Sequence, residues 1–311
     1  MQRYNAFVAP HSGPLPGGPR PGAVAAQAPR RRRRVTLYGL TFSLPLLVWQ
    51  LLFFLLPLLF LVALSFWTVR NFRMQPDFDL VNWATVYGSG VFWQAYGRTL
   101  LLALAASVLA SALAFPCSYA IAFKLSEGAR RWAVFLMVIP FFTSYLVRVY
   151  SWQIFLSDNG IINALLGRVG LGPYPMLNSN FGTVVGYLTL AFPLVVLLQL
   201  FSLAFVDRRL VEAAHNMGAG RLRAVLEVVI PSARVGLVIA ALFCFILTFG
   251  DFVSPLYLGG GNPPTLSILI TDTTKAGQQW PRAAVIALTM IATLLTVAFA
   301  AVGYAYKGRG R

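Results

Sequence analysis

The sequence predicts an all-α integral membrane protein with about six transmembrane helices, on three observations. Hydrophobic residues make up 58% of the 311 and charged residues only 11%, more apolar surface than one water-soluble core can bury. The apolar residues fall into six long runs of the length a hydrocarbon layer about 30 Å thick requires, about 20 residues per helix. The basic residues lie at the ends of those runs rather than on one face or in one patch.

Residues 1–34 are rich in Pro, Gly, Ala and Arg, show no periodicity and end in the run Arg30 to Arg34, so they are expected to form a disordered basic cytoplasmic tail. The apolar run from Val35 to Trp67 far exceeds the roughly 7 to 15 residues of a secretory signal core and is expected to stay as the first membrane helix. The remainder, 35–311, is expected to be one transmembrane domain. Its spans are placed near 37–66, 97–123, 131–155, 183–206, 233–253 and 282–306. Strand alternation is absent and the runs exceed the tilted strands of a membrane barrel. The intervening segments 67–96, 156–182 and 254–281 hold turn formers and the aromatics Trp83, Trp93, Tyr174 and Trp280, which suit a lipid headgroup boundary.

With the N-terminus inside, 18 of the 25 basic residues fall on the inner side, which predicts an N-in, C-in topology. The same asymmetry accounts for most of the net charge of +16, and Arg30 to Arg34 read as a contact for anionic lipid rather than for nucleic acid. Cys117 and Cys244 lie inside apolar stretches and indicate no disulfide framework. With only His11 and His215 available, no metal site is expected. No phosphate-binding loop of the Gly-x4-Gly-Lys-Ser/Thr type is present, Gly218-Ala219-Gly220 lacks the third glycine of a dinucleotide site, and no Ser/His/Asp set suggests a hydrolase. No cofactor is expected.

The inner segment between the fourth and fifth spans, 207–231, is the long one. Asp207 is placed to cap a short helix, and Leu210, Ala213, Ala214 and Met217 follow at i, i+3, i+4 and i+7 on one face. Gly218 then permits a left-handed residue, and a second helix from about Gly220 leads to Pro231. Two readings stand at this point: an alanine face on which another protein docks, with Met217 filling its pocket, or an amphipathic helix lying on lipid. Glu212 is spaced to pair with Arg208 or Arg209.

The pattern Glu212-Ala213-Ala214, three residues, Gly218, nine residues, Val228-Val229-Ile230-Pro231 resembles the EAA loop of type I ABC importer permeases, with Val228 and Ile230 replacing the usual Ile and Leu. The resemblance implies that Glu212, Ala213, Ala214, Met217, Gly218, Ile230 and Pro231 seat on a separate ATPase dimer that binds the ATP. It also implies a second homologous permease subunit, an extracytoplasmic solute-binding protein, a location in the cell inner membrane, and no enzymatic activity of this chain's own.

Two further stretches, Leu146 to Trp152 with Asn159 to Leu166, and Gly250 to Pro255 with Gly259-Gly260, are similar to the spermidine/putrescine permeases, which implies a polyamine as solute. Asp251 stands where that branch usually has Glu. An acidic residue at the outer end of an apolar span suits a polycation path, or it is an interfacial aspartate exposed to water. Arg148, with Tyr145 and Trp152 about a turn away on either side, faces the path between subunits or snorkels to the headgroups. The alternatives outside polyamine uptake are another small solute (amino acid, opine or metal-type) and an ion-coupled secondary transporter. The latter would show repeats and broken helices; no repeat is visible, and Pro140 and Pro193 read as tolerable kinks.

Overall fold

The structure, a computed structural model, describes residues 37–307; the tail 1–34 and the basic residues Arg309 and Arg311 lie outside them. The described residues divide into two units, one ending at Phe54 and one beginning at Leu55. In the first, α1 (Leu37–Gln50) leads into a π-helical turn (Leu51–Leu55), and Trp49 stacks on Phe53 at 4.3 Å.

The second unit continues with α2 (Leu56–Leu64), a hairpin of β1 (Thr68–Arg70) and β2 (Arg73–Gln75), α3 (Val81–Tyr87) and the long α4 (Gly90–Phe123). The hairpin is unexpected from the sequence. Its antiparallel strands pair Arg70 with Arg73 across Asn71 and Phe72, both at positive φ, the condition of a two-residue type I′ turn. A bulky Phe at the second position hides that turn from the usual Asn-Gly signal.

Next come α5 (Glu127–Val138), capped by Ser126, a 3₁₀ turn (Ile139–Phe142), α6 (Tyr145–Leu156) and α7 (Ile161–Arg168). α8 (Asn180–Ala204), capped by Ser179, is followed by α9 (Arg208–Asn216), α10 (Arg221–Ala224) and a π-helical turn (Val225–Val229). α11 (Ile230–Phe249), α12 (Val253–Tyr257), α13 (Leu266–Lys275) and α14 (Trp280–Tyr306) complete the described residues. Among the described residues, five helical stretches are long and apolar enough to cross a membrane, and a sixth is available if the bent pair Glu127–Phe142 and Tyr145–Arg168 counts as one span.

Side-chain hydrogen bonds give the helix directions. Arg98 meets Asn180 and Ser118 meets Gln199, so α4 and α8 run parallel. Ser107 donates to Ala241 O and Ser202 to Ala233 O, so α11 runs against both. Two parallel helices need a return crossing between them, and α5 with its 3₁₀ turn begins it. The chain then bends by 93° into α6 and α7. The third span expected over 131–155, with Pro140 as a tolerable kink, is therefore an elbow, broken at Thr143 and Ser144.

Small residues let these helices approach closely. Ala95, Ala103, Ala106, Ala110 and Ala114 of α4 are fully buried. Gln199 is buried between helices, its Nε2 donating to Ser111 O at 3.1 Å and its Oε1 accepting from Ser118 at 3.0 Å. At Gly236 a Cβ would overlap the Ser202 side chain and stand 3.4 Å from its Cα. Gly236→Leu is therefore expected to lower the thermal midpoint of the detergent-purified protein, overpacking costing about 1–3 kcal/mol. Gly97→Ala, where a Cβ meets nothing within 4 Å, should leave the midpoint unchanged.

Candidate functional site

The expected site residues fall into two groups at opposite ends of the helix bundle. At the end where α4 and α8 finish, α9 stands between α8 and the π-turn that opens α11. Its start is fixed by the Asp207 carboxylate, which accepts from Arg209 N at 2.9 Å, satisfying one of the free donors of the first turn. Its finish is a Schellman motif: Ala219 N donates to Ala214 O at 3.0 Å and Gly218 N to His215 O at 2.9 Å, with Gly218 at φ +86°. That left-handed residue is cheap only without a Cβ.

Between these ends, Ala214 is buried against the segment that leads into α11. Leu210, Ala213 and Met217 point outward, Met217 with 82% of its surface exposed. The outward face is thus i, i+3, i+7, and Ala214, expected to share it, turns inward. Glu212 is exposed. The pairing expected with Arg208 or Arg209 is not formed, because Arg208 donates to Ala122 O at the end of α4, 3.0 Å away, with its guanidinium 5.9 Å from the Phe123 ring. The Glu212 carboxylate has neither an ion pair nor a hydrogen bond among the described residues. Ile230 is half-buried and Pro231 exposed at the start of α11, and helix runs unbroken from Arg221 to Phe249. α9 is thereby attached to α4 through Arg208, to the core shared by α4, α8 and α11 through Val211, and to the π-turn that opens α11.

The second group surrounds Asp251, which is buried with 8% exposure. The reading of it as a water-exposed interfacial residue fails. Its carboxylate caps α12, accepting from Val253 N at 3.0 Å and Ser254 N at 3.1 Å, and takes a 2.6 Å hydrogen bond from the Tyr145 hydroxyl. That hydroxyl also contacts Ser254 Oγ, and the Asp251 carbonyl accepts from Ser267 Oγ at 2.7 Å. Close approach makes the cluster possible: a Cβ on Gly186 would overlap the Ser254 side chain, and one on Gly182 would stand 2.6 Å from Leu258 O.

Tyr145 and Trp152, both half-buried, pack against Val149, Leu156 and Leu258. Arg148 does not snorkel. Its Nη1 donates to Thr189 O on α8 at 2.9 Å, and its guanidinium carbon lies 5.8 Å from the Tyr145 ring centroid. The structure thus brings Tyr145, Arg148 and Asp251 together and puts Trp152 in the apolar layer beside them.

Sequence reasoning missed the two arginines that close helix ends near α9. Arg208 is one, and Arg234 is the other, donating to Tyr304 O at 2.7 Å and Lys307 O at 3.1 Å at the end of α14, where a cation also meets the negative end of the helix dipole. For Arg234 the available signal was a cation at the mouth of a span with no acidic residue in helical register; for Arg208 the Glu212 spacing pointed to the wrong partner.

Residues 106–309 match the family described as binding-protein-dependent transport system inner membrane component. The chain belongs to that family. It is an ABC importer permease subunit of the inner membrane, and the permease is a transport component rather than an enzyme. It is 27% identical over 253 residues to the spermidine/putrescine transport system permease protein PotB of Haemophilus influenzae, covering 79% of this chain and 87% of that one. It is 31% identical over 264 residues to the probable ABC transporter permease protein y4oQ of Sinorhizobium fredii, covering 81% and 84%. Among solved structures, a bacterial ABC transporter that imports the acidic polysaccharide alginate superposes with a TM-score of 0.69 at 16% identity, over 88% of this chain and 97% of that chain. This likeness supports the fold and carries nothing about the solute.

Proposed function

We propose that this permease pairs with a second homologous subunit, that α9 and the turn after it seat on a separate ATPase dimer, and that an extracytoplasmic binding protein delivers a polyamine to the opposite end. The observation that carries the docking reading is the outward face of α9. Among the described residues nothing covers the small apolar surface of Leu210, Ala213 and Met217, and the Glu212 carboxylate beside them has no partner. A flexible, exposed Met next to alanines suits insertion into a pocket. Closure of the ATPase would then reach α4 through Arg208 and α11 through the π-turn. The charge asymmetry supports an orientation with α9 in the cytoplasm, since Lys124, Arg130, Arg131, Arg208, Arg209, Arg221, Arg223, Arg234 and Lys307 share its end of the bundle.

The polyamine reading is supported by the PotB relative, and we assign Tyr145, Arg148, Trp152 and Asp251 to the gate on the solute side. One observation favours a second reading, a solute that is not a polycation. The Asp251 carboxylate already holds three donors, and a passing ammonium would have to displace the Tyr145 hydroxyl to reach it. The deciding experiment reconstitutes the transporter with its cognate binding protein and measures uptake and solute-stimulated ATP hydrolysis across polyamines, amino acids, opines and metal ions. Stimulation by spermidine or putrescine is expected; stimulation only by another member of the panel would move the solute assignment there.

A further inference from the structure

Proline 193 stands inside α8. A proline has no N–H, so the carbonyl four residues earlier in a helix loses its donor, and here that residue is Thr189. Inside a membrane no water replaces the missing bond, and an unsatisfied carbonyl is costly there. The Thr189 hydroxyl cannot help its own carbonyl, because it donates to Val185 O at 2.8 Å. Arg148 donates to it instead, at 2.9 Å. The acceptor is the one that Pro193 frees.

The donor sits in the first turn of α6, four residues beyond Ser144, where the third span bends by 93°. α6 is therefore tied to the notch in α8 at the elbow itself. Among the described residues Arg148 has no carboxylate within ion-pair distance, and its Nε is buried without a partner. The carbonyl is the polar contact that justifies a guanidinium at this depth, and the Tyr145 ring, whose hydroxyl holds Asp251, lies against it.

The geometry points to Arg148 as a positioning residue: its guanidinium replaces the helix N–H that Pro193 removes from Thr189, and this bond latches the elbow of α6 to α8 so that Tyr145 and Asp251 stay engaged. Its role in the gate rests on the functional reading above; its role at the carbonyl does not. In this arrangement Arg148 contributes a hydrogen bond to a backbone carbonyl and makes no contact with solute. Because a residue other than proline at 193 supplies the missing donor, the need for Arg148 depends on Pro193.

That dependence is the test. Arg148→Met removes the donor at similar volume and is expected to lower uptake by about tenfold or more, an unsatisfied buried carbonyl being the cause. Pro193→Ala alone should stay within about threefold of wild type, and Arg148→Met with Pro193→Ala should recover to within about threefold of Pro193→Ala, the carbonyl having regained its helical partner. Thermal midpoints of the same four proteins in detergent should follow the same pattern. A double variant as impaired as Arg148→Met in both measurements would overturn the proposal and favour direct contact between Arg148 and solute. If rescue appears in the midpoint but uptake stays low, the latch stands and the gate assignment falls. Should Pro193→Ala fail to accumulate, Arg148→Gln decides: this neutral donor must retain more uptake than Arg148→Met, and equal loss would overturn the latch.

Discussion

Gly218→Val or Glu212→Lys is expected to abolish uptake while leaving the permease folded in the membrane. At Gly218 the argument is conformational. A Cβ there meets nothing within 4 Å, so space is not the obstacle; the obstacle is φ +86°, which a β-branched residue adopts only with strain, about 1–2 kcal/mol for a left-handed conformation. That is too little to unfold helices packed as tightly as α4, α8 and α11. It is enough to break the Schellman motif, since the Gly218 and Ala219 donors must leave His215 O and Ala214 O for the backbone to relax. Met217 and Ala213 then move with the end of α9. At Glu212 the argument is electrostatic. The carboxylate is exposed and unpartnered among the described residues, so its replacement costs the fold nothing, while a lysine places a like charge beside whatever cation the docking groove offers. Loss of a well-packed docking contact is worth about 2 kcal/mol or more, which separates complexes of ordinary strength. The check is the amount of ATPase that co-purifies with each variant and the solute-stimulated ATP hydrolysis of what remains. Normal stoichiometry with normal stimulation in both variants would remove α9 from the docking surface.

The elements that a sequence shows well are those set by local chemistry. Asp207 capping α9 and Gly218 ending it were legible because an N-cap and a left-handed C′ residue each require a particular side chain at a particular place. The spans were legible because lipid demands apolar length. Hydropathy has no direction, however, and so the elbow at Thr143 and Ser144 was invisible: 131–155 is apolar enough for a straight helix, and only the parallel packing of α4 and α8 requires the chain to return and then turn aside. The partners of charged residues were misjudged for a related reason. Arg208 and Arg148 both end on backbone carbonyls, Ala122 O and Thr189 O, and every residue has a carbonyl, so sequence spacing cannot single one out. Pro193 was the usable clue, since it announces an orphaned acceptor at Thr189, but it does not say which donor will come.

Asp251 separates a structural carboxylate from a transport one, and the two substitutions that divide them should differ sharply. Asp251→Leu leaves Val253 N, Ser254 N and the Tyr145 hydroxyl without their acceptor in a buried site, each unsatisfied donor costing about 1–3 kcal/mol. The α12 cap and the α6 contact go together, and we expect little folded permease to accumulate. Asp251→Asn keeps the shape and one good acceptor. Its carbonyl, placed where Oδ2 now lies, keeps Ser254 N and the Tyr145 hydroxyl, and the amide at the other position leaves Val253 N alone without its acceptor. Folding should therefore survive with a modest fall in thermal midpoint, because a neutral acceptor makes weaker hydrogen bonds than a carboxylate. Uptake is the discriminating quantity. Under the proposed function Asp251 is the acidic member of the gate, and removing its charge withdraws the attraction that an ammonium group would feel there, about 1 to 4 kcal/mol for a partner at 4 Å in a wet or half-buried setting. For a polyamine solute, Asp251→Asn should lower uptake severalfold, with the loss growing as external salt is reduced and screening weakens in the wild-type reference. Uptake equal to wild type at every ionic strength, in a variant that assembles normally, would leave Asp251 as the cap of α12 alone and would favour a solute without positive charge.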